Sequence, residues 1–454
     1  MENLLSDLIR KYDVPGPRYT SYPTVPAWKG LPEGIDSWKA ALQESLLRSN
    51  EGVSIYLHIP FCRSLCAFCG CTKVITRDRE LGPRLIRAIH RELSLYAAML
   101  PRGLPLRELH LGGGTPTWLD HKELGELLHP FLSGPIFERD KKTALSIEID
   151  PRTVAVEHID LFKELNFSRV SIGVQDFNPE VMKIIHREQS AELVASVVKQ
   201  LRSRGIHGLN FDLVYGLPKQ TPQSVAESLR QVLDLKPDRV AFYSYAHVPW
   251  MRPAQKLLEP HGLPCGAEKR ALYEAGREIF EAFGYKEIGM DHFALPSDEL
   301  HQASLDGRLH RNFMGYTVRR SNVLLGFGPS SLSDCGDAFA QNEKNVSNYF
   351  ESVERGRLPV VHGHVLNPEE QMRRRLVLDI SCRLGADLKS YQLASAEIER
   401  LAALEKDGLI KISESAIKVT SLGRIFLRNI CMALDPNMHD QISKPTVPLF
   451  SRSI

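Results

Sequence analysis

The stretch VSIYLHIPFCRSLCAFCGC, residues 53–71, joins two different kinds of sequence in one run. Its first part, 53–59, is apolar, β-branched and aromatic and stops at Pro60, the pattern of a buried strand. Its second part places Cys62, Cys66, Cys69 and Cys71 on the loop that follows. Working outward, similar apolar runs recur at RELHL (107–111), TALSIEI (143–149), SRVSIG (168–173), HGLNFDLVYG (207–216) and RVAFYSY (239–245). Between them lie helical patterns such as LIRAIHRELSLYAAML, HKELGELLHPFL, AELVASVVKQLRSR and TPQSVAESLRQVLDL. Strand and amphipathic helix in alternation argue for parallel strands with crossover helices, an α/β fold. Six such units are too few to close an eight-stranded barrel, so the pattern predicts a partial, open (β/α)6 TIM-like barrel over 51–355. A seventh short strand, YKEIG (285–289), is expected to extend the sheet. Chemistry in such folds gathers where the strands end and the βα loops converge.

Two further pieces flank this unit. Residues 1–50 offer helical stretches around PGPRYTSYPT (15–24), whose prolines make it an extended arm. Residues 356–454 are mostly helical and close with IERLAALEKDGLIKISESAIKVTSLGRIFLRNICMAL, which reads as helix, two-stranded wing, helix. Lys and Arg number 57 against 55 Asp and Glu, a net charge of +2, so bulk charge makes no case for nucleic acid or an anionic membrane. Acids within the wing helix argue likewise against a DNA-recognition surface. No apolar run reaches the roughly 20 residues of a membrane span. The first residues, MENLLSDLIRKYD, do not read as a signal peptide, and the expectation is a cytoplasmic chain that needs no oligomer.

The cysteines carry the chemistry. Four of the eight fall between 62 and 71, which in a reducing compartment points to metal rather than disulfides. Thiolates spaced C-x3-C-x2-C on one tight loop can hold three corners of a [4Fe–4S] cubane and leave the fourth iron open. Structural zinc with Cys71 as fourth ligand is the competing reading, but no second C-x2-C knuckle occurs. Cys265, Cys335, Cys382 and Cys431 are dispersed and read as ordinary thiols. Among the histidines, only His58 and His292 stand where they could face the strand ends, and a core role is the plainer expectation for both. Gly112-Gly113-Gly114-Thr115 follows the second strand and can bring backbone close to a ligand. Glu148, Gln175, Arg187 and Asp212 lie in or just past strands three to five, where a charge is costly unless paired or ligand-facing.

With Phe68 before the last cysteine, this loop resembles that of the radical S-adenosylmethionine superfamily. The resemblance implies that Cys62, Cys66 and Cys69 hold the cluster. Its open iron would be chelated by the amino and carboxylate groups of S-adenosylmethionine. It further implies that Gly112, Gly113, Gly114 and Thr115 meet the amino group, that Glu148, Gln175 and Asp212 meet the ribose and adenosine side, and that Arg187 lies near the carboxylate. Tyr56, Ala246 and Leu332 complete the cofactor pocket by the same resemblance.

PGPRYTSYPT, HIPFC-x3-C-x2-CGC, LGGGTPT, SIEIDPR, GVQDFN, FDLVYGLPKQT, YAHVP, GMDHFA, HRNFMGYT and LRNICM together resemble the oxygen-independent coproporphyrinogen III oxidase family. That family converts two propionates of coproporphyrinogen III to the vinyl groups of protoporphyrinogen IX, with an electron donor and acceptor the sequence does not name. Coproporphyrinogen is an apolar body with four carboxylates, so Arg18 among Tyr19 and Tyr22 is expected to clamp a propionate, with Arg311 another candidate. Tyr56 and Arg18 are the expected catalytic residues. A tetrapyrrole carrier on the same scaffold is the alternative, and Cys71 with the N-terminal arm favours the oxidase. Met314, His186 and Thr72 depart from the family pattern, which has Gln, Asn and Asn there; Met314 bears on any second S-adenosylmethionine site.

Overall fold

In the computed structural model, which describes residues 2–48, 51–414, 416–438 and 448–454, the expected strands form as parallel neighbours. They are β1 (Val53–Ile59), β2 (Leu104–Gly113), β3 (Ala144–Ile149), β4 (Arg169–Gln175), β5 (Gly208–Tyr215) and β6 (Arg239–Ser244), side by side in chain order. Three of the crossover helices start where the sequence supplies an N-cap: Asp120 before His121–Leu132, Ser190 before Ala191–Ser203 and Thr221 before Pro222–Asp234. Burial alternates along the strands. In β4, Val170, Ile172 and Val174 are buried against the helices, while Ser171, Gly173 and Gln175 line a cavity. In β5, Leu209, Phe211 and Leu213 are buried, and Asn210 and Asp212 line the same cavity. Closed barrels fill their interior with branched apolar side chains. A polar inner face cannot pack that way, so this barrel stays hollow.

The sheet runs further than the alternation predicts. At one end β7 (Lys286–Gly289), the expected seventh strand, joins only through β8 (His292–Ala294), which is antiparallel to β6. A separate hairpin follows, β9 (His310–Asn312) and β10 (Gly315–Thr317). At the other edge β11 (Val323–Phe327) pairs in parallel with β1, and β12 (Leu332–Asp334), β13 (Ala338–Asn342) and β14 (Val360–Val365) continue antiparallel. β11 is buried at every position but has no amphipathic helix after it, so it breaks the strand–helix rhythm used to count units. Because β14 belongs to the sheet, the unit extends past the boundary expected at 355, to the helix Pro368–Arg383 with its Asn367 cap.

The C-terminal unit is built around that helix, Ser395–Lys406 and Leu427–Ala433. Its wing has three strands rather than two, because Gly385–Asp387 pairs with Ala416–Val419. Residues 439–447 of the expected domain lie outside those described. The N-terminal segment divides its loyalty. Its second helix, Ile35–Arg48, sends Trp38 and Leu42 into the barrel core, whereas Leu8, Ile9, Tyr19 and Tyr22 join the C-terminal core with Leu376, Ile380 and Ile430. The arm's tyrosines are thus structural, since burying such rings contributes about 1.5–3 kcal/mol each. No helix among the described residues is long and apolar enough to cross a membrane.

Trp38 is fully buried and donates from Nε1 to the Tyr96 hydroxyl at 3.2 Å, so Trp38→Ala should cost about 3–5 kcal/mol in chemical denaturation. Leu47, 88% exposed, is the control: Leu47→Ala should stay within about 0.5 kcal/mol.

Candidate active site

The inner faces of β2 to β6 enclose a cavity of about 560 Å³, within the size range of small-molecule sites. Cys62, Cys66, Cys69 and Cys71 line it from the loop, together with Gly113, Gly114, Thr115, Glu148, Gln175, Arg187 and Asp212 from the strand ends. Most of the expected cofactor residues therefore meet in one place.

The cysteine loop is fixed before any ligand arrives. Phe61 and Cys62 pair with Val74 and Ile75, closing the loop at its base. Ala67 is buried against Val181, Met182 and Ile185, and its amide donates to the Ile185 carbonyl at 3.0 Å. Gln255, 1% exposed, donates from Nε2 to the carbonyls of Phe68 (3.0 Å) and Ala246 (3.1 Å), tying the loop to the chain beyond β6. Arg252 donates to the Gly70 carbonyl at 2.8 Å. His58 lies 3.0 Å from the Thr72 carbonyl through Nε2 and 3.0 Å from the Tyr56 hydroxyl through Nδ1, so it braces the loop rather than facing the cavity.

Around Cys66 the charges are arranged for a thiolate. Asp150 accepts from Arg152 at 2.7 Å and Arg187 at 3.1 Å. Both guanidinium groups also reach the Cys66 Sγ, at 3.7 and 3.6 Å. Burial alone would push the Asp150 carboxyl up; the two arginines outweigh it and hold the group below the usual carboxylate range. Arg187 donates its other terminal nitrogen to the Gly173 carbonyl at 2.7 Å, and its buried Nε has no partner. His186 before it has φ +56°, a left-handed position that His tolerates nearly as well as the Asn of the family pattern. Asp150 and Arg152 went unread in the sequence because nothing local shows that SIEIDPR meets Arg187.

The glycine run has a packing reason of its own beside the expected one. A Cβ on Gly112 would stand 3.0 Å from the Glu148 carboxylate, on Gly113 2.8 Å from the His58 ring, and on Gly114 2.8 Å from the Phe61 carbonyl. Gly113 also has φ +116°. Close packing of protein on protein thus requires these glycines, and it is this packing that sets the loop against the cysteines. Thr115 then brings its hydroxyl 3.4 Å from the Cys62 Sγ.

Asp212 accepts from the Ser171 hydroxyl (2.7 Å) and the Asn210 amide (2.9 Å), yet burial, and then the nearby Glu148 charge, push it up to about 7. Glu148 accepts from the Gly113 amide at 3.3 Å and lies 3.4 Å from His110. Tyr56 stacks on His110 at 6.0 Å and meets Phe313 edge-on at 5.2 Å. The cavity floor, unread in the sequence, is a network in which Arg239 pairs with Asp298 (2.7 Å) and Glu299 (3.2 Å), and Arg319 with Glu299 (3.2 Å).

Four of the expected residues stand apart from this lining or are engaged with other parts of the protein. Leu332 packs with Trp28, Phe339 and Leu366 and is not among the lining residues, because β12 belongs to the antiparallel extension. Tyr56 and Ala246 stand at the edge of this lining: Tyr56 is the one partly exposed residue of β1, beside His110, and the Ala246 carbonyl accepts from Gln255. Arg18 is already committed, pairing with Asp291 at 3.3 Å, donating to the Ser244 carbonyl and resting on the Tyr243 ring. Met314 and His292 do line the cavity.

The donor set fits an iron–sulfur cluster better than a single ion. Among the described residues no three His, Cys, Asp or Glu donors converge on one ion position, as tetrahedral zinc would require. A cubane instead gives each thiolate a separate iron. The cationic donors around Cys66 and the orphaned Arg187 Nε suit an anionic group there.

Residues 56–232 match the radical SAM superfamily model. The chain is 38% identical over 457 residues to the oxygen-independent coproporphyrinogen III oxidase of Escherichia coli, covering 98% of each chain. It is 39% identical over 444 residues to that of Pseudomonas aeruginosa, covering 95% of each. Its fold is similar to the solved structure of coproporphyrinogen III oxidase (HemN) from Escherichia coli, described as a radical SAM enzyme. The TM-score is 0.86 at 37% identity, over 92% of this chain and 97% of that one.

Because the folded Asp212 titrates near 7 and the ordinary value is 3.8, the ionised form burdens the fold. Stability is therefore lost as pH rises from about 4 through 7, and the burden is complete above 7. Asp212→Asn should raise the stability of the ligand-free chain by about 2 kcal/mol at pH 8, and the gain should vanish by pH 4 in denaturation curves.

Proposed function

The chain belongs to the oxygen-independent coproporphyrinogen III oxidases of the radical SAM superfamily, and from that membership we infer its reaction: oxidative decarboxylation of two propionates of coproporphyrinogen III to the vinyl groups of protoporphyrinogen IX. The observation that carries this reading is the meeting of Cys62, Cys66 and Cys69 with Glu148, Gln175, Arg187 and Asp212 on one cavity wall. When bound, the [4Fe–4S] cluster and S-adenosylmethionine supply a 5′-deoxyadenosyl radical able to take a hydrogen atom from an unactivated carbon.

The protein's share is binding, orientation and exclusion of water. Cys62, Cys66 and Cys69 are the proposed cluster ligands, with Arg152, Arg187 and the Thr115 hydroxyl offering hydrogen bonds to their sulfurs. Gly113 and Gly114 bring backbone to the cavity wall beside them, where an α-amino acid group can be met by main-chain atoms. The unpartnered Nε of Arg187 supports its proposed role toward the carboxylate. Glu148 and Asp212 are acceptors suited to ribose hydroxyls, and Gln175, at φ +69°, turns its amide into the same space. Asp212 near its titration midpoint can also donate, so it can answer either end of a hydroxyl.

On the substrate side the balance is simple. Loss of a hydrogen atom from the carbon next to the pyrrole ring leaves a radical there. Breaking the bond to the carboxylate then releases CO2 and one electron and forms the vinyl double bond. Each propionate therefore needs a one-electron acceptor.

The chain, purified without oxygen and reconstituted with iron and sulfide, should convert coproporphyrinogen III to protoporphyrinogen IX and release 5′-deoxyadenosine when given S-adenosylmethionine, a reductant and an acceptor. Cys62→Ser should reduce both products to background. Deoxyadenosine without protoporphyrinogen would retain the radical chemistry and move the substrate elsewhere.

A further inference from the structure

Among the described residues, Arg311 is a buried guanidinium without an anion. Arg311 lies on β9 opposite Tyr316 of β10 and is 6% exposed. Its Nε and one terminal nitrogen have no hydrogen-bond partner, and the other terminal nitrogen only touches the Arg18 carbonyl at 3.4 Å. Among the described residues it makes no ion pair. Arg187, Arg239 and Arg373, similarly buried, each face a carboxylate: Asp150 at 3.1 Å, Asp298 at 2.7 Å and Glu397 at 2.9 Å. A guanidinium stays charged at any working pH, so burying it without an anion is unfavourable unless a ligand supplies one.

The surroundings say which kind of ligand. The guanidinium rests over the Tyr316 ring at 4.6 Å, and His292 meets that same ring edge-on at 5.3 Å and Tyr243 at 5.8 Å. Tyr243, His292 and Tyr316 all line the main cavity. The buried Nδ1 of His292 is also unpartnered. Burial first, then Arg311, push His292 down to about 3; Arg239 and Arg18 add to the effect and Asp291 opposes it. The imidazole is therefore neutral and keeps one N–H to give.

We propose that Arg311 and His292 form a carboxylate subsite, walled by Tyr243 and Tyr316, that takes one propionate of the tetrapyrrole substrate. The guanidinium donates two parallel hydrogen bonds to the carboxylate from its Nη1–Nη2 edge, Nη2 exchanging its long 3.4 Å contact with the Arg18 carbonyl for the carboxylate oxygen, and His292 donates a third from Nδ1. The tyrosine rings receive the apolar body beside it. Arg18 pairs with Asp291, whereas Arg311 has no carboxylate of the protein's own among the described residues. The assignment rests on the reaction inferred above.

The test is steady-state turnover of coproporphyrinogen III by the reconstituted holoenzyme, with cluster absorbance and substrate-free cleavage of S-adenosylmethionine measured alongside. Arg311→Gln should raise the KM for coproporphyrinogen III roughly tenfold to a hundredfold while both accompanying readouts hold, the scale of a lost charged hydrogen bond. Arg311→Lys, which keeps the charge but not the fork, should fall between, and His292→Gln should raise KM less than Arg311→Gln. If Arg311→Gln loses its cluster, the Lys and His292 variants decide. Wild-type-like KM in the variants that keep their cluster overturns the subsite and leaves the reaction standing. A wild-type enzyme that does not convert coproporphyrinogen III overturns the reaction and the subsite with it.

Discussion

The Asp150 carboxylate holds the site together. It sits just past β3, receives Arg152 from its own loop and Arg187 from beyond β4, and through both of them is joined to Cys66. Two adjacent strand ends and the cysteine loop are thereby locked by a single buried acid. Remove the acid and two buried guanidinium groups lose their partner, a situation costlier than the pair was worth. Keep it, and a thiolate at Cys66 has cationic donors waiting before any metal arrives. Gln255 does the corresponding work on the far side, through neutral hydrogen bonds to Phe68 and Ala246.

That arrangement depends in turn on a barrel that is not filled. Alternating burial along β4 and β5 gives the helices an apolar face to pack on and leaves Ser171, Gln175, Asn210 and Asp212 pointing inward. The polar interior is stabilised by its own hydrogen bonds, Asp212 with Ser171 and Asn210, and by the ion pairs of Arg239 and Arg319 at the floor. The raised Asp212 shows that the balance is incomplete in the ligand-free chain, as expected where stability yields to binding. At the mouth, the arm, the β9–β10 hairpin and the C-terminal unit meet. Tyr316 donates to the Ser381 carbonyl at 3.0 Å, and Tyr19 to Asp435 at 3.0 Å. These contacts couple the mouth of the cavity to the C-terminal core.

Much of this was legible in local pattern. The strand residues of β1 to β6 announced themselves by composition and by the helices after them, and the cysteine spacing pointed to a cluster with an open iron. Polar residues inside apolar runs, Glu148 and Asp212, marked the inner face because a strand alternates its sides. β11 was missed for the converse reason: VLLGF is apolar throughout, but no amphipathic helix follows it to mark a further unit. The glycines at 112–114 were found, but their packing reason was not legible, since a sequence does not show that His58, Glu148 and Phe61 stand where their side chains would be.

The sequence by itself determined the order of elements, the alternation that hollows the barrel, and the placement of three thiols on its first loop. These are properties of neighbours along the chain, governed by periods of two and of about 3.6 residues. Only the tertiary structure decided which charges meet. Arg18 and Arg311 look alike as candidates in the sequence, yet one is paired with Asp291 and the other is left without an anion. The arm's tyrosines likewise went to the C-terminal core instead of the cavity. Electrostatic partnership and close packing are settled between residues distant in sequence, at separations of a few ångströms that no local pattern encodes.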